Sequence, residues 1–212
     1  MALALWAAPL AAPAAAESLT IAALGDSLTQ GYGLAQQDGL VAQLEAWLRA
    51  AGHDVNVINA GVSGDTTAGG LSRIGWTLGD DPAGVIVALG GNDLLRGIDP
   101  AASRENLSGI LTAITEAGAS AMLIGLPAPG NYGPEFRDAF EAMYPELAEE
   151  YGAALYPDLL APISEKYATG QRFSDLMQAD HIHPNAEGVA AIVEALGPEV
   201  AEWLDGIAAR DQ

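Results

Sequence analysis

Ile21-Ala22-Ala23-Leu24-Gly25-Asp26-Ser27-Leu28-Thr29-Gln30-Gly31-Tyr32-Gly33 is the stretch that decides how the rest of the chain is read. A short apolar run ends in Gly-Asp-Ser-Leu and then a glycine-rich turn. An apolar run of this length reads as a buried strand. The glycines after it mark a sharp change of direction. Open α/β sheets place their ligands at the carboxyl ends of their strands. Ser27 stands at such an end and reads as a nucleophile. Taken alone, the stretch serves equally for a serine that caps a helix or sits in a turn.

The chain around it alternates between strand and helix patterns. Leu40, Leu44, Trp47, Leu48 and Ala51 recur at helical spacing, and Gly52 closes that helix. Residues 54–60 form a second strand leading into Gly61-Val62-Ser63-Gly64-Asp65-Thr66-Thr67, where Asp65 or Thr66 is placed to cap a helix carrying Leu71, Ile74 and Leu78. Residues 84–89 are apolar on both faces, as central parallel strands are, and end in Gly90-Gly91-Asn92-Asp93. A helix is expected over about 100–117, and a fourth strand over 121–126. A turn-rich loop, 127–134, precedes a helix that Pro145 should kink or split. A short fifth strand at 153–156 gives way to irregular chain as far as Asp180-His181-Ile182-His183-Pro184-Asn185. The last helix should break at Gly197-Pro198. This alternation predicts one α/β domain, a parallel sheet with helices on both faces.

Composition narrows the chemistry. The 212 residues suffice for one domain with a full core, and half of them are hydrophobic. The absence of cysteine excludes disulfides, thiolate metal sites and a cysteine nucleophile. A net charge of −20, with Lys166 the single lysine, repels nucleic acid and anionic membrane surfaces. Residues 1–16 carry no charged side chain and end in Ala-x-Ala before Glu17, so they read as an export leader, although no Lys or Arg precedes the apolar run. No later segment is apolar enough to span a membrane. The expected product is a periplasmic or secreted monomer with its catalytic domain over 17–212.

Four loops stand at strand ends, holding Ser27, Gly64, Asn92 and the 180–183 segment, and in a doubly wound sheet such loops meet on one edge. Acyl transfer to water needs a nucleophile, a base, a group to orient the base, and donors for the developing oxyanion. Ser27 can attack, and His183 can take its proton. Asp180, three residues before His183, can fold back to hold the imidazole. The adjacent Asp180–His181 pair suits that contact less well. The Asn92 amide and the backbone N–H groups of Ser27 and Gly64 can serve the oxyanion. This chemistry calls for no cofactor and no metal.

Gly25-Asp26-Ser27-Leu28, Ser63-Gly64-Asp65, Gly91-Asn92-Asp93 and Asp180-x-x-His183-Pro184 together resemble the SGNH, or GDSL, hydrolase superfamily. Within it the chain is similar to the bacterial thioesterase I, lysophospholipase L1 and arylesterase group. The carrying residues are Leu95-Arg96-Gly97, Leu126-Pro127-Ala128, Asn131-Tyr132-Gly133, Met143-Tyr144-Pro145 and Ile182-His183-Pro184-Asn185. The resemblance implies Ser27, Asp180 and His183 as catalytic triad, and Ser27, Gly64 and Asn92 as oxyanion site. It implies a flavodoxin-like three-layer α/β/α fold with sheet order 2-1-3-4-5. It also implies a small ester as substrate, cleaved through an acyl-enzyme, with thioester and lysophospholipid hydrolysis as alternatives on the same residues. Asp26, Leu28, Leu94, Asn131 and Tyr132 are expected at the substrate. Leu94 stands where a glycine is common in the family, and Pro129-Gly130 is an insertion beside the expected acyl groove.

Two rival readings use the same residues. Asp180, His181 and His183 could be metal ligands, but the only other histidine is His53. The turn after the first strand could cradle a phosphate in a flavodoxin-like binding module, but it lacks Gly-Lys-Ser/Thr and a nearby cation. Tyr132 and Phe136 read equally as groove walls or core aromatics.

Overall fold

The computed structural model describes residues 18–210, so the leader expected at 1–16 lies outside the described residues. The opening apolar run is β1 (Leu19–Gly25), and it sits in the middle of a five-stranded parallel sheet of order 2-1-3-4-5. Its neighbours are β2 (Val55–Gly61) and β3 (Gly84–Ala88), followed outward by β4 (Ser120–Ile124) and β5 (Ala154–Tyr156). Register aligns their ends: Gly25 lies beside Gly61 on one side and Ala88 on the other. The segments leaving these strands therefore start level, and Ser27, Gly64 and Asn92 emerge along one edge. Every residue of β3 is buried, which accounts for its lack of polar alternation.

Eight helices connect the strands among the described residues: α1 (Ser27–Gln30), α2 (Leu40–Ala50), α3 (Thr67–Leu78), α4 (Gly91–Leu95), α5 (Pro100–Glu116), α6 (Pro134–Tyr151), α7 (Ala161–Ala168) and α8 (Ala186–Ala208). One layer packs α5 between α3 and α6, and the other packs α8 against α2 and α7. Thr66, rather than Asp65, caps α3, its hydroxyl accepting from Gly69 N–H at 3.2 Å. Asn185 caps α8 in the same way, its side chain accepting from Gly188 N–H.

Three local expectations give way to tertiary packing. The break expected at Gly197-Pro198 does not occur, and α8 runs unbroken through both residues. An interior proline costs a helix about 3 kcal/mol. Burial of Leu196, Val200, Trp203 and Leu204 on this helix offsets that cost, at about 1.5–3 kcal/mol for each fully buried large apolar side chain. Gly197 packs so closely on the Trp47 ring that a Cβ there would meet ring carbons at 2.5–2.9 Å. Likewise Pro145 does not split α6, which is anchored by buried Phe140, Met143, Tyr144 and Leu147. The chain between β5 and Asp180, read as irregular, contains α7, a two-turn helix that buries only Pro162 and Ile163. No helix among the described residues is long and apolar enough to cross a membrane.

Candidate active site

Ser27 is the first residue of α1, immediately past β1. Asp26 caps this turn: its Oδ1 accepts from Leu28 N–H at 3.0 Å. The Ser27 hydroxyl lies 2.9 Å from His183 Nε2, although 156 residues separate the two in sequence. On the far side of the ring, His183 Nδ1 lies 2.7 Å from Asp180 Oδ2. Asp180 Oδ1 accepts from the backbone N–H groups of Ile182 and His183 at 3.0 and 3.1 Å. With Nδ1 protonated and donating to the carboxylate, Nε2 is free to accept from the hydroxyl. Hydrogen bonds from the His183 ring and the two backbone amides hold the Asp180 carboxyl well below the usual carboxylate range. The ring brought to Ser27 is that of His183. His181 turns away and stacks on Phe173, ring centroids 6.0 Å apart, with its own backbone at φ +60°.

Asn92 enters from α4, just past β3. Its Nδ2 donates to Asp26 Oδ2 at 3.2 Å, which fixes the amide beside the serine. Gly64 comes from the loop after β2 at φ +83°, a conformation that favours glycine, and a Cβ would meet nothing closer than 3.8 Å. Backbone shape, not lack of room, is what the glycine answers here.

A profile of the GDSL-like lipase/acylhydrolase family matches residues 23–191. The chain belongs to that family. Esterase TesA of Pseudomonas aeruginosa is 37% identical over 192 residues, 90% of this chain and 91% of that protein. Thioesterase 1/protease 1/lysophospholipase L1 of Escherichia coli K12 is 37% identical over 193 residues, 90% of this chain and 83% of the relative. The crystal structure of AlinE4, an SGNH-hydrolase family esterase, superposes with a TM-score of 0.71 at 46% identity, covering 90% of this chain and 99% of that one. The protein is thus a GDSL hydrolase with the sheet order of its class.

Beside the serine of this GDSL fold lies an apolar cavity of about 330 Å³. Ser27, Gly64, Asn92 and His183 face it together with Tyr32, Leu94 and Leu160. Of the side chains expected at the substrate, Leu28 and Leu94 line it, and so does Asp26. Asp26 is only 3% exposed and has its two oxygens taken by Leu28 N–H and Asn92, so it holds other groups in place. Burial pushes its carboxyl above the ordinary value. Asn131 and Tyr132 are not in the cavity wall. Tyr132 packs on Phe136, 4.8 Å between centroids, and against Gly97.

Beneath this edge are groups that tie the strand ends together. Arg73 on α3 pairs with Asp65 at 2.5 Å and donates to the carbonyls of Ala60 at 2.6 Å and Gly25 at 2.8 Å. One guanidinium therefore joins the ends of β1 and β2 to the Gly64 loop. Asp93, fully buried, accepts from Thr67 N–H at 2.8 Å, Thr67 hydroxyl at 2.6 Å and Ser103 hydroxyl at 3.0 Å, joining α4 to α3 and α5. At the surface, Arg96 donates to the Gly64 carbonyl at 2.8 Å. Tyr32 lays its ring 4.7 Å from that of His183.

Proposed function

We propose that this protein is a serine esterase acting on carboxylic esters with aryl or short-to-medium acyl groups. The observation that carries the reading is the continuous contact Asp180–His183–Ser27 beside an apolar cavity that also holds Asn92 and Gly64. Ser27 Oγ attacks the ester carbonyl while His183 Nε2 takes its proton. The Asn92 amide and the backbone N–H groups of Ser27 and Gly64 receive the oxyanion. The imidazolium, stabilised by Asp180, then protonates the departing alkoxide or phenoxide. Water, deprotonated by the same ring, releases the acid from Ser27. The esterase, thioesterase and lysophospholipase names of the relatives fit one such mechanism.

Ser27→Ala tests the reading. Hydrolysis of a p-nitrophenyl ester and labelling by a fluorophosphonate should both vanish while circular dichroism is unchanged. Activity retained within tenfold of wild type would refute it.

Substrate charge favours the ester over acyl-CoA. No Lys or Arg lines the cavity, and the net charge of −20 repels the phosphates of coenzyme A at low salt. Export, read from residues 1–16, places the enzyme in the periplasm or outside the cell, away from cytoplasmic acyl-CoA.

A further inference from the structure

We propose that the mouth of the cavity is also a docking surface for the face of an aggregated amphiphile with uncharged or zwitterionic head groups. Seven large apolar side chains are exposed among the described residues; Trp76 stands on α3 and Tyr167 on α7, and the other five belong to the segments around the site. Tyr32 (50% exposed), Val62 (46%), Leu95 (61%), Tyr132 (42%) and Ile182 (48%) each rise from a different loop at the carboxyl edge of the sheet. Tyr32, Leu95 and Ile182 also line the cavity, so at these three the exposed apolar surface leads into it.

The segments carrying these side chains, residues 31–36, 61–66, 90–99, 126–134 and 178–184, contain four of the 28 acidic residues, close to their share by length, so what matters is how those four are held. Asp65 is paired with Arg73, Asp93 is fully buried, Asp180 is bonded to His183, and Asp99 caps α5. The neighbouring loop 157–160 adds Asp158, whose carboxylate accepts from Leu160 N–H. Arg96, exposed and bonded only to the Gly64 carbonyl, adds a cation at the same rim. With Arg73 and Arg96 set against these five carboxylates, the apolar rim stays net acidic on a body of charge −20, which suits an interface that is wet but not anionic. Binding at such a surface grows with the apolar area buried and falls with like charge. The acidic remainder stays in water, and the cavity opens toward the surface that supplies its substrate.

The inference goes beyond the esterase reading, and an inactive protein tests it apart from turnover. Full-length Ser27→Ala is mixed with phosphatidylcholine vesicles, and bound protein is measured by sedimentation. The comparison proteins add Leu95→Asp and Ile182→Asp together, or Trp76→Ser alone. Trp76 is the most exposed large apolar residue at 86%, and it lies in the last turn of α3, away from the rim. All variants share residues 1–16, so any binding by that segment is common to them. The rim pair should weaken vesicle partition roughly tenfold or more, and Trp76→Ser should leave it unchanged. Replacing half the lipid with phosphatidylglycerol should also weaken binding. Partition that is absent from Ser27→Ala, or that survives the rim pair, overturns the proposal. So does a loss equal to that caused by Trp76→Ser. Circular dichroism separates a misfolded rim variant from a non-binding one, and Leu95→Ser with Ile182→Ser provides a milder second pair.

Discussion

The two halves of the site are built differently. Ser27, Gly64 and Asn92 sit at strand ends that are tied together from below, by Arg73 across β1, β2 and the Gly64 loop, and by Asp93 between α3, α4 and α5. Asp180 and His183 sit on a surface loop ordered mostly by its own hydrogen bonds. In that loop Gln178 N–H donates to the His183 carbonyl at 2.8 Å, and Asn185 N–H donates to Leu176. The Gln178 side chain, donating to the Tyr32 carbonyl at 2.8 Å, is a tether to the other half. The aspartates record the same contrast: Asp26 is buried with its carboxyl pushed up, and Asp180 is open to solvent with its carboxyl pulled down. On the proposed reading, the groups that would receive the oxyanion stand on the tied frame, and the base with its orienting carboxylate stands on the loop.

The largest effect expected is on the loop half. His183→Ala should lower kcat by roughly 10³- to 10⁴-fold, the range of a lost general base. His181→Ala, two residues away, should stay within a few-fold, because that ring meets Phe173 and not the serine. Steady-state kinetics on one p-nitrophenyl ester decides between them, and the reverse ranking would move the base to His181.

The next effects separate a donor from its support. Asn92→Ala should cost about 10²- to 10³-fold in kcat with little change in melting temperature. Arg73→Met should do the opposite. It leaves Asp65 and two carbonyls without their donor, at about 2–4 kcal/mol. That corresponds to a fall in Tm of roughly 5–10 °C for a chain of this length. Its kcat should fall less than that of Asn92→Ala, and Arg73→Lys should restore part of both. Equal kcat losses with no thermal difference would mean that the frame does not divide the work this way.

The smallest effect is a difference of sign with pH. The folded pKa of Asp26 is raised, so its ionised form costs stability at neutral pH, and that cost disappears as pH falls through the raised value. The folded pKa of Asp180 is lowered, so its contribution is present above the ordinary carboxyl range and lost as pH falls through the depressed value. Relative to wild type, Asp26→Asn should melt higher at neutral pH and Asp180→Asn lower; between pH 7 and about pH 3 the first difference should shrink and most of the second persist, which thermal melts over that range read directly. Shifts of the same sign in both variants would erase the contrast.

Much of the fold was legible because β1, β3 and β4 are short apolar runs that end in or lead directly to glycine, and runs of that kind need no tertiary context to be seen. Ser27, Gly64, Asn92, Asp180 and His183 stood out for the same reason, each lying in a compact local pattern. The misread features depend on distant partners. Nothing local shows that Pro198 lies within a helix whose other side chains are buried. Nor does any pattern around Arg73 reveal the Gly25 carbonyl 48 residues away. Tyr132 read equally as groove wall or core aromatic because the choice depends on what packs against it; it lies on Phe136 and against Gly97, while Pro127 of the same loop reaches the cavity.

The contact between Ser27 and His183 spans most of the polypeptide. A parallel sheet with this order cannot close locally, since each strand must wait for a crossover before it can pair. On the proposed reading the nucleophile is made early and its base among the last residues, so a copy that stops before about residue 180 holds the serine without the imidazole that activates it.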